Sequence, residues 1–170
     1  MATFPPDSHP QLTPDNVDAR QGTGLDADLD TVVREFIRYF EQLTPADLKR
    51  LPEFYAEGAR FKDPFNEVQG LPAIDTIFRH MYVALEAPRF VVTGQVRQGA
   101  QCFLLWDFYF RFRRFDTHTE QRVRGTSHLV FDAAGRVTLH RDYWDAAEEL
   151  YEKLPVVGGL MRWLKRRANT

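Results

Sequence analysis

His140, Asp142 and Trp144 alternate along "LHRDYW", and the period-two geometry of a strand puts all three on one face. An imidazole and a carboxylate two residues apart on one side of a strand can work together as acid and base. The same pair also serves as polar trim on an exposed strand edge, and the sequence leaves both readings open. A second carboxylate stands in "FYAEGARFKDPF", residues 54–65, which reads as a helix end, a short strand and a stop. Asp63 comes immediately before Pro64, so the chain turns there and presents the side chain. It is either a turn residue satisfying local backbone or a base at the mouth of a pocket. A third, Asp107, sits among aromatics in "QCFLLWDFYFRFRRF". Burying it unpaired would be costly, so it pairs with a cation such as Arg124 or lines a wet pocket, pairing being the commoner outcome.

Other chemistries leave no trace. The chain has no glycine-rich phosphate loop, no Gly-x-Ser-x-Gly elbow and no His-Glu-x-x-His motif. A metal site built from His140, Asp142 and a third ligand has no spacing signature, so no metal and no cofactor are expected. Cys102 is the single cysteine, which excludes an internal disulfide and a multi-thiolate zinc site. His80 and His118 read as solvent-facing, His9 lies in the leading segment, and His128 sits in a strand without an evident partner. A formal charge of −2 gives no excess of cations for phosphates, so nucleic acid is not an expected partner. The first 20 residues lack a basic and an apolar region, and no apolar run reaches the roughly 20 residues that span a bilayer. The expected address is the cytoplasm.

Positioning these residues requires a scaffold. Residues 1–27 carry four prolines and few large apolar side chains, which reads as a flexible tail. Val32, Val33, Phe36, Ile37 and Phe40 recur at helical spacing behind Asp30 or Thr31 as cap. "LTPADLKRLPEFY" restarts a helix with Thr44 at the cap and Pro45 at its first position. "GLPAIDTIFRHMYVAL" is a third helix, with Leu71, Ile74, Ile77, Phe78, Met81 and Leu85 along one side. Four β-rich runs follow, with "QGAQ" and "DAAGR" as hairpin-like connections. Three helices and then successive strands imply an α+β fold, with the helices on one face of a curved, mostly antiparallel sheet. The strand through Trp106 is apolar on both sides, so helices must cover one face and a cavity or a partner the other. Residues 147–170 read as a C-terminal helical extension whose last part is basic and amphipathic. That segment either lies on an anionic membrane surface or folds back over the pocket mouth, the second being favoured.

In element order and in residues, the chain resembles the nuclear transport factor 2-like superfamily, which includes SnoaL-like polyketide cyclases and ketosteroid isomerases. The resemblance rests on Tyr39, the run "FYAEGARFKDPF", Gly70 and the stretch from "FDAAGRV" to Trp144, and covers roughly residues 29–146. It implies a conical half-barrel with a deep pocket, a small-molecule ligand, and a homodimer paired through the convex side of the sheet. Ketosteroid isomerases hold their base in an Asp-Pro motif and an oxyanion-binding tyrosine on the first helix, positions matched by Asp63 and Tyr39. Their third group, a protonated aspartate, falls on Ser127, which cannot act as that acid. In SnoaL-like cyclases an aspartate late in the sheet is the acid/base, which points to Asp142. The expected catalytic set is therefore Asp63, Tyr39, Asp142 and His140, with Phe65, Asp107, Ser127 and Trp144 around the ligand. His140 and Asp142 on the pocket face argue against a steroid and for a smaller carbonyl compound or a polyketide-like acid. The activity implied is cofactor-independent isomerisation or cyclisation by proton transfer next to a carbonyl. The alternative is a non-catalytic carrier of an apolar ligand.

Overall fold

The computed structural model describes residues 24–114 and 116–149. Most of the expected N-terminal tail and the basic C-terminal segment lie outside these residues. The first helix, α1, spans Gly24–Glu41, and Val33, Phe36 and Phe40 bury its apolar stripe. It starts before Asp30 and Thr31, so neither caps it. Asp30 instead pairs with Arg97 across the layer at 2.6 Å, and the Thr31 hydroxyl accepts a hydrogen bond from Arg34 at 2.8 Å.

The expected second helix divides. The Asp47 carboxylate accepts from the Thr44 backbone N–H at 3.1 Å and from its hydroxyl at 2.5 Å, closing a turn. A 3₁₀ turn over Asp47–Arg50 follows, then a four-residue helix α2, Leu51–Phe54, with Pro52 in its first turn. Proline has no N–H to donate and fits there without losing a bond.

Strand β1, Tyr55–Lys62, leads through the Asp63–Asn66 turn into β2, Glu67–Gln69, which is too short to show a pattern in sequence. Helix α3, Leu71–Ala84, buries Ile74 and Phe78 against the sheet. Strands β3 (Leu85–Gln98), β4 (Gln101–Phe112), β5 (Gln121–Phe131) and β6 (Val137–Tyr143) form an antiparallel meander. Its β5–β6 turn matches the expected "DAAGR" connection, where Gly135 takes a φ of 76° that other residues adopt at a cost. A short helix α4, Ala146–Glu149, follows β6.

Six strands lie in the order β2-β1-β6-β5-β4-β3. Only β1 and β6 run parallel, which joins the two halves of the chain and makes β6 an interior strand. On β4 the two faces part company. Cys102, Leu104, Trp106 and Phe110 are buried inward, while Phe103 and Leu105 stay 40% and 44% exposed outward. The helices and the cavity described below share the inward face, so the cavity does not cover the outward one. Among the described residues no helix is long and apolar enough to cross a membrane.

Candidate functional site

Interior strand β6 decides the fate of His140. Its imidazole is 1% exposed and ringed by Phe36, Phe40 and Phe61, with centroids 6.2, 5.5 and 5.0 Å away. Both ring nitrogens therefore need partners within the protein. The Tyr55 hydroxyl, at the start of β1, lies 2.6 Å from Nδ1. Nε2 lies 3.0 Å from Asp142 Oδ1 and 3.2 Å from Ser127 Oγ. The Ser127 hydroxyl donates to the same Asp142 oxygen at 2.5 Å and accepts from Trp106 Nε1–H at 2.8 Å.

With Asp142 as a carboxylate, one proton arrangement satisfies every member. Trp106 donates to Ser127, and Ser127 to Asp142. Nε2–H of a neutral His140 donates to Asp142, and Tyr55 O–H donates to Nδ1. Burial, with the Asp142 charge behind it, pushes the Tyr55 phenol well above its ordinary pKa, so it remains a donor. All described hydrogen bonds to Asp142 go to Oδ1, and the side chain is 14% exposed.

Trp106 reaches Ser127 because the residue beside it on β5 is glycine. A Cβ on Gly125 would come within 2.3 Å of the indole ring. The register places Trp106 directly against Gly125, and Ser127 against Asp142.

A cavity of about 400 Å³ opens beside this chain of groups, walled by aromatics that include Phe61, Phe90, Trp106, Phe108 and Phe110. Its polar side chains are Asp63, Asn66, His80 and Asp142, apart from the Trp106 and Trp144 indoles. A space of about 20 Å³ lies against Ser127, His140 and Asp142. An open groove of about 500 Å³ is lined by charged residues, among them Lys62, Asp63, Arg141, Asp142 and Asp145, and by Pro64, Tyr143 and Trp144. Asp142 borders all three.

The other expected residues divide between the cavity and the scaffold. Asp63 lines the cavity and the groove, and it also closes the β1–β2 turn. Its Oδ1 accepts from Phe65 N at 2.7 Å and Asn66 N at 2.6 Å, and Asn66 Nδ2 reaches both carboxylate oxygens at 3.1 and 3.0 Å. Phe65 and Trp144 meet edge to face, centroids 5.3 Å apart, and both line the cavity. Tyr39 stands apart: its hydroxyl donates to the Asp47 carbonyl at 3.2 Å and its ring stacks on Phe54 at 4.1 Å. It borders none of the three spaces.

Asp107 also borders none of them. It points to the outward face, where Arg122 pairs with it at 2.7 Å. Arg124, the cation named from sequence, is directly opposite on β5 but turns to Glu149 at 2.9 Å. His128 finds Gln101 at 2.9 Å and stacks on Phe103. Among the described residues no three His, Cys, Asp or Glu side chains gather as a metal site requires. Sequence reasoning missed Tyr55 and Trp106 as parts of the site. Neither carries a local signal, since Tyr55 lies 85 positions from its partner.

The comparisons agree with this architecture. A solved structure from Catenulispora acidiphila with a ketosteroid isomerase-like fold, in complex with trimethylamine, is 16% identical at a TM-score of 0.59, over 70% of this chain and 88% of its own. An NTF2-like protein of unknown function from Burkholderia pseudomallei is 17% identical at 0.61, over 71% and 93%. An LEH-like epoxide hydrolase from M. tuberculosis is 14% identical at 0.59, over 82% and 93%. These identities speak to fold alone. No curated protein matches the chain. The model of the SnoaL-like domain matches residues 36–140, and the chain belongs to that family, within the NTF2-like superfamily.

Proposed function

We propose that this chain binds an apolar small molecule in the aromatic cavity and moves a proton on it, with Asp142 as the proton acceptor. The observation that carries this reading is the unequal use of the Asp142 oxygens. Ser127 and His140 both hold Oδ1, so the carboxylate is oriented while its other oxygen has no described hydrogen bond. Tyr55 and Trp106 act one step removed, fixing the His140 ring and the Ser127 hydroxyl. The reaction class is proton transfer next to a carbonyl, as in an isomerase or cyclase, without a cofactor. His80 lines the cavity with an imidazole suited to the developing oxygen charge. Asp63 takes a supporting part in this reading, because its oxygens already accept four hydrogen bonds in the turn.

Ladder irregularities in β1, β3 and β6 support a sheet curved as a conical half-barrel around the cavity. A homodimer belongs to the same proposal, with the outward apolar residues Val96, Phe103 and Leu105 under a second copy. Sedimentation at micromolar concentration is expected to give a dimer, and a monomer there would count against it.

The test of chemistry is proton–deuterium exchange at the α-carbon of a panel of cyclic ketones. Wild type should exchange above the buffer rate, and Asp142→Asn should lose roughly 10²–10⁴-fold. No exchange by wild type across the panel would reduce the chain to a binding protein.

A further inference from the structure

We infer that the cavity takes a ring-bodied molecule carrying a protonated amine and turns away the corresponding carboxylic acid. The inference rests on reading the aromatic cavity as the ligand site. It runs against the polyketide-like acid expected from the sequence. Asp63 and Asp142 are the acidic side chains lining this cavity, and among the described residues no Lys or Arg lines it. His80, on the exposed side of α3, is the one other titratable group among the described lining residues.

Neither carboxylate has a described cationic partner within this wall. Asp142 is held by a serine hydroxyl and an imidazole, Asp63 by backbone and amide N–H groups. The cations nearby are engaged elsewhere. Lys62 pairs with Glu67 at 2.6 Å, Arg141 lies over the Tyr143 ring at 4.8 Å, and Arg113 donates to the Leu85 carbonyl at 3.0 Å. A ligand carboxylate would enter against two like charges with no counter-ion among the described lining residues. An ammonium would meet both carboxylates and aromatic faces, which attract a desolvated cation.

The two acids divide the ligand between them. Asp142 borders the inner space and faces the ring body. Asp63 borders the cavity and the outer groove, but not the inner space, and places the charged end beside the Phe65–Trp144 pair.

Three isosteres test this: 2-(2-naphthyl)ethylamine, 2-(2-naphthyl)ethanol and 2-naphthylacetate, titrated calorimetrically into the full-length chain at pH 7. The amine should bind about tenfold or more tightly than the alcohol, and the acetate most weakly. Asp63→Asn, which keeps a turn-accepting oxygen, should shrink the amine's advantage over the alcohol. The wild-type ranking stands without any variant. An acetate bound as tightly as the amine, or an amine no better than the alcohol, overturns the charge selection and leaves the cavity as a ligand site. Silence from all three overturns the inference together with the cavity reading. Amine preference without ketone exchange supports this inference while removing the proposed catalysis.

Discussion

Asp63 and Asp142 border the same cavity, yet the chain holds them by different means. Asp63 is fixed by N–H groups two and three residues onward, inside one turn. Asp142 is fixed by His140 beside it and by Ser127, 15 residues away on the neighbouring strand. Through His140 the same network reaches Tyr55, 85 residues from that histidine. A carboxylate held by its own turn helps to determine the path of the chain. One held by side chains from a rigid sheet is aimed, with an oxygen left for something else. Both border the cavity, so proximity alone does not separate them; the origin of their hydrogen-bond donors does.

The comparison can be broken at four points. The largest effect is expected at Asp142 itself, where Asn keeps the shape and removes the proton acceptor, lowering exchange by roughly 10²–10⁴-fold. The equivalent change at Asp63 should move exchange by less than about tenfold if its part is to shape the mouth. Equal losses at both positions would erase the distinction drawn above.

Next comes the support of the aimed carboxylate. Tyr55→Phe removes the donor to a buried imidazole and leaves Nδ1 without its described partner, at a cost of about 1–3 kcal/mol in unfolding free energy. Gly125→Ala forces the Trp106 indole to shift, at a similar cost of about 1–3 kcal/mol, and loosens its bond to Ser127. Urea unfolding measures both. A Gly125→Ala chain as stable as wild type, with unchanged tryptophan fluorescence, would show that the indole does not need the glycine.

Alkaline stability sharpens the picture of the buried phenols. Desolvation raises the pKa values of Tyr55 and Tyr39, and that of Tyr82 to about 12. The unfolded chain then releases these protons first, near pH 10, while the folded chain retains them. Stability is complete below about pH 10 and falls as pH rises above it, so thermal unfolding should move to lower temperature between about pH 10 and 12. An unchanged midpoint would mean that the phenols titrate alike in both states.

The smallest effect is the stability of Asp63→Asn. Asparagine also serves in such turns, so the expected loss is under about 1 kcal/mol by urea unfolding. A larger loss would mean that the charge, and not only the accepting oxygen, holds the turn.

Much of the architecture follows from sequence because it is written in short-range periodicities. The apolar stripes of α1 and α3, the alternation along β4 and the glycine turn before β6 each depend on neighbours a few residues away. Asp63 is legible in the same way, since an aspartate before proline is a local instruction to turn. β2 is not legible, because three residues carry no period. Asp107 shows the limit of strand pairing as a guide. Its register partner is Arg124, but long side chains choose among neighbours, and Arg122 takes the bond while Arg124 turns to Glu149.

By itself the sequence determined that His140, Asp142 and Trp144 share a face, that three helical segments precede a meander, and that aromatics fill the interior. Only the tertiary structure decided whether His140 was edge trim or a buried link. That depended on β1 pairing parallel beside β6, a contact between distant parts of the chain that no local pattern records. The same pairing brings the Tyr55 hydroxyl to His140 Nδ1, and with it the reason for the imidazole's orientation. Tyr39 and Tyr55 are both buried aromatics flanking the α2 region, indistinguishable by composition. The sheet turns one hydroxyl toward the site, and the helical layer ties the other to a backbone carbonyl.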